Sequence, residues 1–299
     1  MEKCNICPRN CNVDRSVAVG FCSMSDKVKI ARAALHMWEE PCISGEQGSG
    51  TVFFSGCNMK CVYCQNKDIS TGGFGKEITV RQLAQTFLNL QSQGALNINL
   101  VTPTHYTLQI VQAVKLARRQ GLVLPIVYNT SGYEKVETLR LLEGIVDVWL
   151  PDFKYIDSET AKKYSRAADY PQIAMAAIDE MVRQAGQCVF DADGIIQKGV
   201  VIRHLVLPTQ AEQAKRIVKY LHEKYADKIF ISIMSQYTPC TDLSAFPEID
   251  RKTTQAEYDR VVDYAVNIGV ENGFIQDGEA ASESFIPPFD LEGVPGEES

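Results

Sequence analysis

The sequence Cys-Asn-Met-Lys-Cys-Val-Tyr-Cys at positions 57–64 sets three cysteines in the spacing C-x3-C-x2-C. An apolar run at 51–54 precedes it and is typical of a short strand. Thiolates are soft ligands that select iron–sulfur clusters, zinc or Cu(I), and a compact loop can bring three of them to one face of a cubane. Three protein ligands for four irons leave one iron open. The spacing therefore predicts an open iron–sulfur cluster on Cys57, Cys61 and Cys64.

Two other interpretations apply to these three cysteines. Free cysteines are often buried as small hydrophobic residues, but buried thiols follow no spacing rule and this loop is polar. Structural zinc usually takes four ligands, and the next cysteine along the chain is Cys188. Both observations favour the open cluster over buried thiols or zinc.

The composition of the 299 residues, 45% hydrophobic and 22% charged, is typical of a globular enzyme with one large core. No apolar run approaches the ~18 residues that a membrane span needs. The first ten residues lack the apolar segment of a signal peptide. We therefore expect a cytoplasmic protein with no membrane partner. In that compartment ten cysteines indicate metal or redox chemistry rather than disulfides.

The net charge of −7 is concentrated near the C-terminus. From Asp277 onward there are seven acidic residues and no Lys or Arg, so the remaining 30 acidic residues balance the 30 basic ones. A neutral body lacks the basic face that nucleic-acid binding requires. We expect the acidic tail to be solvated and partly disordered, although the apolar group at 285–289 favours a buried position.

Between residues 50 and 233, short β-rich runs alternate with helical patterns, which predicts a parallel sheet with helices outside. Capping boxes at 79–82 and 254–257 begin two helices, and Gly121 and Gly186 stand where two others should end. Six βα units predict an α/β fold, a partial (β/α)6 barrel of TIM type with functional residues at the strand C-termini. A hairpin turn is expected at 191–194. The predicted strands are 51–55, 98–101, 126–129, 146–150, 200–207 and 229–233.

The cysteine motif, with the aromatic Tyr63 before its third cysteine, resembles the signature of the radical S-adenosylmethionine (radical SAM) superfamily. From about residue 45 to 239, several strand ends are similar to those of pyruvate formate-lyase activating enzymes and their uncharacterised relatives. The resemblance implies a partial barrel, a [4Fe-4S] cluster on the three cysteines, and SAM on the open iron. It also implies reductive cleavage of SAM to a 5'-deoxyadenosyl radical that takes a hydrogen atom from a substrate. An electron donor such as a flavodoxin or ferredoxin is implied as a partner.

The resemblance extends to SAM-binding positions, and no catalytic residue is assigned beyond the cluster ligands. The segment 146–154 is similar to the activating enzymes' strand ending in Asp-x-Lys, which makes Lys154 a candidate for the SAM carboxylate. The turn at 128–132 resembles a family turn near SAM. Its Asn and Gly are equally explained by the requirements of the turn itself, because both residues favour turn conformations. The strand 199–208 resembles one with a basic residue near SAM, and alternation lets only one of its two candidates point inward. The SAM candidates are Tyr63, Thr102, Thr104, Asn129, Ser131, Asp152, Lys154, Arg203 and His204.

One segment departs from the superfamily pattern. Many radical SAM enzymes carry Gly-Gly-Glu after the second strand, where the acid takes the SAM amino group, but this chain has Asn-Leu-Val-Thr-Pro-Thr-His at 99–105. Thr102 and Thr104 are candidate neutral acceptors in its place. His105 is a candidate proton carrier or substrate contact, or a helix-start residue with no catalytic duty. Gln236 and Tyr237 are candidates for the rim of a substrate site.

Four further cysteines, Cys4, Cys7, Cys11 and Cys22, have the spacing C-x2-C-x3-C-x10-C in a segment too short for its own core. This pattern favours a metal site over free thiols. Four thiolates suit structural zinc or a closed iron–sulfur cluster, and the C-x2-C start slightly favours zinc. Buried packing is expected for the other three cysteines, Cys42, Cys188 and Cys240.

Three regions are predicted: a Cys-rich metal-binding segment at 1–45, a radical SAM partial barrel at 46–240, and a C-terminal helix with the acidic tail at 241–299. The favoured function is a radical SAM enzyme that acts on a glycyl residue of a protein, as glycyl radical enzyme activases do. The alternatives are a radical SAM enzyme for another peptide or a small molecule, and an iron–sulfur electron carrier without SAM chemistry. A carrier would normally close all four iron positions with protein ligands.

Overall fold

Ten strands form one sheet in a computed structural model that describes residues 3–275 and 287–296. Phe285 and Ile286 of the apolar group, and the tail at 276–286 and 297–299, lie outside the described residues. The strands are β1 (Val28–His36), β2 (Ser49–Phe54), β3 (Lys76–Ile78), β4 (Ile98–Val101), β5 (Ile126–Thr130), β6 (Val148–Pro151), β7 (Val189–Phe190), β8 (Ile196–Leu205), β9 (Phe230–Met234) and β10 (Gly273–Ile275).

The parallel part of the sheet is larger than predicted. Its order is β10-β9-β8-β6-β5-β4-β2-β1-β3, and β7 pairs with β8. The seven strands from β10 to β2 in this order are parallel neighbours, whereas β1 and β3 are antiparallel. The predicted α/β class with six parallel strands is confirmed, and β10 adds a seventh. Within the described residues the sheet ends at β3 and β10, so it is open, as in a partial barrel.

Nine α-helices connect or flank the described strands, and both predicted capping boxes are present. The Thr79 hydroxyl accepts from the Gln82 backbone N–H, and the Thr254 hydroxyl accepts likewise from Glu257. Such caps stabilise a helix by about 1 kcal/mol each. No helix in the described ranges has the length and apolarity of a membrane span. The helices are α1 (Pro41–Ser44), α2 (Lys67–Ser70), α3 (Val80–Ser92), α4 (Thr107–Arg119), α5 (Val136–Arg140), α6 (Ser158–Ser165), α7 (Tyr170–Ala185), α8 (Ala211–Tyr225) and α9 (Gln255–Asn267).

Most predicted strand boundaries differ from the structure by one or two residues, and the starts of β6 and β8 differ for identifiable local reasons. β6 begins at Val148 rather than at 146, because the Val146 N–H bonds to Leu142 O in the turn after α5. β8 begins four residues early, at Ile196, because it pairs with β7 across the predicted turn at 191–194. The turn prediction is therefore correct, and the hairpin lengthens the strand.

The N-terminal region contributes a strand that the sequence pattern did not predict. β1 lies within the range 1–45 and pairs along its length with β2. Its register shifts between Ile30 and Arg32, and Ile30 and Ala31 are both fully buried. A bulge of this kind breaks the alternation by which strands are identified. The proposed division into three regions stays a prediction.

Residues 287–296, which we call the C-terminal cover, pack beside β1. Two backbone hydrogen bonds, of 2.8 and 3.1 Å, join the cover to that strand. Arg32, whose side chain is 13% exposed, forms ion pairs with Asp290 at 2.7 Å and with Glu292. Phe289 packs edge-to-face on Phe53, with ring centroids 5.5 Å apart. This part of the tail therefore contacts the barrel, while six of its ten residues remain exposed as predicted for a solvated tail.

Candidate active site

A cavity of about 240 Å³ opens where the parallel strands end. The loop after β2, the C-terminal ends of β5, β6, β8 and β9, and the segment after β1 supply its walls. Pro287 of the C-terminal cover also lines it. Barrels of this type carry their functional residues at this end, because the loops after the parallel strands converge there. The predicted position of the site is thus the position of the cavity.

The loop after β2, residues 57–64, holds its three cysteines at the inner end of this cavity, and we call it the cysteine loop. Cys61 and Cys64 line the cavity, and Cys57 packs on the core beside them. Each sulfur has a hydrogen-bond partner that fixes its position. These contacts are Met59 N–H to Cys57 Sγ at 3.3 Å, Ser165 Oγ to Cys61 Sγ at 3.0 Å, and Ser70 Oγ with Cys64 Sγ at 3.3 Å.

The donor set fits an iron–sulfur cluster. Burial, and then the neighbouring thiolates Cys61 and Cys57, raise the pKa of Cys64 to about 12. Bound iron would remove this penalty, because metal ligation deprotonates thiols. Three sulfur ligands on one loop, each held by a hydrogen bond, are the donor type that iron–sulfur clusters take.

A wall of paired charges faces the cysteine loop. Lys154 Nζ lies 2.6 Å from Asp152 Oδ2, and Arg203 Nε donates to Asp152 Oδ1 at 3.0 Å. Burial alone would raise the pKa of Asp152, but Lys154 and Arg203 hold it below its ordinary value. Burial would likewise lower the pKa of Lys154, but Asp152 and the Cys61 thiolate raise it. All three groups are therefore charged at neutral pH.

Glu39, from the segment between β1 and α1, completes this wall. Its Oε2 accepts from Arg203 Nη1 at 3.0 Å, and its Oε1 accepts from Asn99 Nδ2 at 2.9 Å and from Asn129 Nδ2 at 3.2 Å. Sequence reasoning missed this residue. The only local signal was the acidic pair Glu39-Glu40 before a proline, in a region assigned to metal binding. Asn99 lies in the departing segment 99–105, so that segment positions an acid that comes from elsewhere in the chain.

The structure brings seven of the predicted SAM and substrate residues to the cavity, in addition to two of the cysteines. Tyr63 is buried between its neighbouring cysteines, with its hydroxyl 2.6 Å from that of Tyr155. Tyr237, almost fully buried, packs edge-to-face on Tyr63 at 5.8 Å. The seven residues are Tyr63, Asn129, Asp152, Lys154, Arg203, Gln236 and Tyr237.

The two candidate histidines are buried away from the cavity. His105 Nε2 hydrogen-bonds to Ser55 O at 2.7 Å, and burial lowers its pKa to about 3. His204 Nδ1 hydrogen-bonds to Phe153 O at 2.7 Å, and burial lowers its pKa to about 4. Neither ring is placed to contact SAM or a substrate. Arg203 faces the cavity while His204 does not, as alternation along β8 requires.

Thr102, Thr104 and Ser131 also line no part of the cavity. The Thr104 hydroxyl donates instead to Glu134 Oε1 at 2.6 Å, behind the wall. Cys240 also differs from the prediction, which was that its side chain is buried. It is exposed at the cavity rim rather than buried, because it lies in the irregular segment after β9. The residues flanking these positions in the sequence do not indicate which of the side chains face the cavity.

Glu134 makes the free energy of unfolding depend on pH. The carboxyl is buried, and burial raises its pKa from an ordinary 4.5 to about 7. Between these values the folded state binds more protons than the unfolded state, so stability falls as pH rises. From pH 5.5 to 8.0 this loss should be about 2 kcal/mol. Glu134→Gln keeps the oxygen that accepts from Thr104 and should lack this loss.

Urea unfolding of wild type and Glu134→Gln at the two pH values measures the effect. The variant should gain about 2 kcal/mol over wild type on going from pH 5.5 to 8.0. Glu137→Gln is the matched control, because Glu137 belongs to the exposed first turn of α5. A constant difference between Glu134→Gln and wild type would show that Glu134 ionises normally.

A sequence model of the radical SAM superfamily matches residues 51–239. The match spans more than half of the chain and includes the cysteine loop and the charged wall from β6 and β8. The chain belongs to the radical SAM superfamily. The predicted resemblance is thereby confirmed. The protein is a radical SAM enzyme, and its cofactors are a [4Fe-4S] cluster and SAM.

Three proteins that are similar to this radical SAM enzyme differ in what they cover. An uncharacterized protein of Methanocaldococcus jannaschii is 29% identical over 273 residues, which cover 88% of this chain and 74% of that protein. A pyruvate formate-lyase-activating enzyme of Clostridium pasteurianum is 25% identical over 177 residues, covering 56% of this chain and 66% of that enzyme. SuiB of Streptococcus suis, in a crystal structure with its precursor peptide SuiA, has a TM-score of 0.51 at 14% identity. That likeness covers 75% of this chain and 47% of SuiB, and it shows the fold alone.

Proposed function

We propose that this radical SAM enzyme takes a hydrogen atom from a glycyl residue of a protein, as an activase of a glycyl radical enzyme. The observation that carries the proposal is the size of the cavity. At about 240 Å³ it is smaller than the roughly 300–1,000 Å³ of sites that enclose small ligands. It must also accommodate SAM, which leaves little enclosed volume and favours a substrate that enters as a small protruding group. A glycyl residue at the tip of a loop is such a group.

The similarity to a pyruvate formate-lyase-activating enzyme supports this substrate class. Gln236 lines the cavity and is the candidate contact for an entering loop, whereas Tyr237 is buried against Tyr63 and is not at the rim. Gln236 is fixed through its carbonyl, which accepts from Gln65 Nε2 at 3.1 Å. The alternatives within the superfamily are another peptide and a small molecule. Each of these candidate functions requires an electron donor, such as a flavodoxin or ferredoxin, to reduce the cluster.

Cys57, Cys61 and Cys64 are the cluster ligands in this proposal, and Lys154 binds the SAM carboxylate. When bound, the cluster and SAM together supply a 5'-deoxyadenosyl radical. Asp152 holds Lys154 in place through their 2.6 Å ion pair, and it is itself held by Arg203. A cation fixed in a largely buried wall binds a carboxylate more strongly than a mobile surface lysine would.

Glu39 takes the role of the acid that segment 99–105 lacks. Its carboxylate is anchored by Arg203, Asn99 and Asn129, and it lines the same cavity as Lys154. An anchored carboxylate is a charged acceptor for an ammonium group, which the buried hydroxyl of Thr104 is not. The SAM amino group is therefore assigned to Glu39, and Thr102 and Thr104 are left with structural roles.

Glu39→Gln is expected to weaken SAM binding about tenfold, because one charge-assisted hydrogen bond to the amino group becomes a neutral one. The amide keeps the size of the side chain and one acceptor oxygen, so the cluster should assemble normally. Titration of SAM against the reduced, reconstituted protein, followed by the change in the EPR signal of the cluster, measures the affinity.

The matched control for this variant is Glu212→Gln. Glu212 is exposed on α8 and pairs with Lys215 at 3.0 Å, remote from the cavity. Its SAM affinity should equal that of wild type. Equal affinities for Glu39→Gln and Glu212→Gln would remove Glu39 from the SAM site.

The substrate class is tested with the anaerobically reconstituted, dithionite-reduced enzyme. SAM is added together with a glycyl radical protein from the same genome, or with its variant in which the loop glycine is replaced by alanine. With the glycine form we expect 5'-deoxyadenosine and the EPR signal of a glycyl radical. With the alanine form we expect neither above the level of the enzyme and SAM alone. 5'-Deoxyadenosine without a protein radical would favour a small molecule or another peptide. Intact SAM and an EPR signal that SAM does not change would favour an electron carrier.

A further inference from the structure

Four cysteines outside the active site gather in the N-terminal segment. Cys7 and Cys22 are buried, and Cys4 and Cys11 are half-buried. The position that a side chain on Gly20 would occupy lies 3.3 Å from Cys11 Sγ and 3.8 Å from Cys22 Sγ. Asn12 N–H donates to Cys4 O at 2.8 Å and Asn10 N–H donates to Cys7 O at 3.1 Å, which places Cys4 and Cys7 beside the turn that carries Cys11.

The backbone of this segment is shaped by turns rather than by regular structure. Residues 3–27 contain no helix or strand, and Asn10, Asn12 and Ser23 have positive φ angles of 43°, 56° and 65°. Hydrogen bonds of 2.8 Å from Cys4 N–H to Val13 O and from Asn12 N–H to Cys4 O close one turn. Positive φ disfavours each of these residues by about 1 kcal/mol. A coreless segment that holds such a conformation needs a cross-link, and a metal centre supplies one.

The arrangement of the sulfurs favours a cluster over zinc. Tetrahedral zinc draws its four thiolates onto one point, and no three metal-binding side chains in the described ranges converge in that way. The same is true of the cysteine loop, whose superfamily cofactor is a [4Fe-4S] cluster with its ligands on separate irons. The Phe21 backbone N–H donates to Cys11 Sγ at 3.1 Å, a contact that would orient this sulfur as a ligand.

The segment packs directly against the back of the cysteine loop. A side chain on Gly56, the residue before Cys57, would lie 2.8 Å from Cys22 O and in still closer contact with Met24. Arg9 Nε donates to the Asn58 carbonyl at 2.7 Å. Lys60 Nζ donates to Ser23 Oγ at 2.9 Å. Contacts from Arg9 and from residues 22–24 therefore join the N-terminal segment to the loop of the active-site cluster.

We propose that Cys4, Cys7, Cys11 and Cys22 hold a second iron–sulfur cluster that lies immediately behind the active-site cluster. All four of its ligands come from the protein, so it has no open iron for SAM. The inner cysteines, Cys7 and Cys22, face the barrel, and the outer pair is nearer to solvent. Such a centre can accept and pass on one electron, and its class of chemistry is electron transfer rather than catalysis.

Iron and sulfide analysis of matched variants tests the site. Wild type should bind about eight irons per chain, and both Cys4→Ser/Cys11→Ser and Cys57→Ala/Cys61→Ala/Cys64→Ala should bind about four. The double variant changes only half-buried cysteines and should keep the response of its EPR signal to SAM. Cys188→Ser, outside both groups, should match wild type. Far-UV circular dichroism checks that each variant folds.

The EPR spectrum of the reduced protein tests whether the two centres are adjacent. Wild type should show a signal broadened by spin coupling between two clusters, and each multiple variant should show a single uncoupled signal. One zinc per chain with four irons, or four irons and no other metal, would overturn the second cluster. Eight irons with two uncoupled signals would overturn its position behind the first. None of these outcomes depends on the substrate, so the proposed activase function can fail separately.

Discussion

Cys61→Ala is expected to abolish both the active-site cluster and the cleavage of SAM. Cys61 is the middle ligand of the cysteine loop, lines the cavity, and accepts a 3.0 Å hydrogen bond from Ser165 Oγ. Two remaining thiolates leave two irons of the cubane without protein ligands, so the cluster should not assemble. 5'-Deoxyadenosine should fall to the level of the enzyme-free reaction. The change removes one small buried atom and should leave the barrel folded.

Chromatography of the product and iron analysis of the same sample measure this result. If the second cluster is present, the iron content should fall by about half rather than to zero. Cys188→Ala is the control, because Cys188 lies before β7, at the opposite end of β8 from the cavity. It should cleave SAM at the wild-type rate. SAM cleavage by Cys61→Ala would defeat the assignment of the cluster ligands.

Lys154→Ala should spare the cluster and weaken SAM binding by roughly ten- to a hundredfold. A hydrogen bond between charged groups contributes about 1.5–3 kcal/mol, and the SAM carboxylate would lose such a partner. Asp152 keeps its 3.0 Å contact with Arg203, so the wall should hold its shape without Lys154. Without the lysine, the negative charge of Asp152 is less compensated. Its repulsion of the SAM carboxylate then lowers the affinity further.

The affinity is measured by the same EPR titration with SAM, alongside the iron content. Lys215→Ala serves as the control, since Lys215 pairs with Glu212 on the surface of α8. It should bind SAM as wild type does. A Lys154→Ala protein with full iron content and unchanged SAM affinity would mean that another residue takes the carboxylate.

The fold was predictable wherever the signal is local. The helices that follow Thr79 and Thr254 begin where their capping boxes place them, since each box is complete within four residues. β1 was missed because the shift after Ile30 disrupts its alternation. β10 was missed because three residues are too few to show a period, and its pairing with β9 is what makes it a strand.

The site was predictable only where it lies on strand ends of known direction. Arg203 and Lys154 reach the cavity because the C-terminal ends of β6 and β8 must face it. Glu39 could not be found in this way, since antiparallel β1 delivers it from outside the parallel core. His105 lies in a loop after a strand end too, but the turn directs its ring to Ser55 O. The periodicity of the sequence does not predict the direction in which such a turn points a side chain.

The C-terminal cover is attached far more weakly than the strands it adjoins. Its attachments to β1 are two backbone hydrogen bonds and the Arg32 ion pairs, each contributing on the order of 1 kcal/mol. A segment held in this way detaches in a local opening that leaves the sheet intact. Its amides, such as that of Leu291, should exchange hydrogen with solvent well before those of β4 and β5. Because Pro287 lines the cavity, we expect the cavity mouth to widen in this local opening while the barrel stays folded.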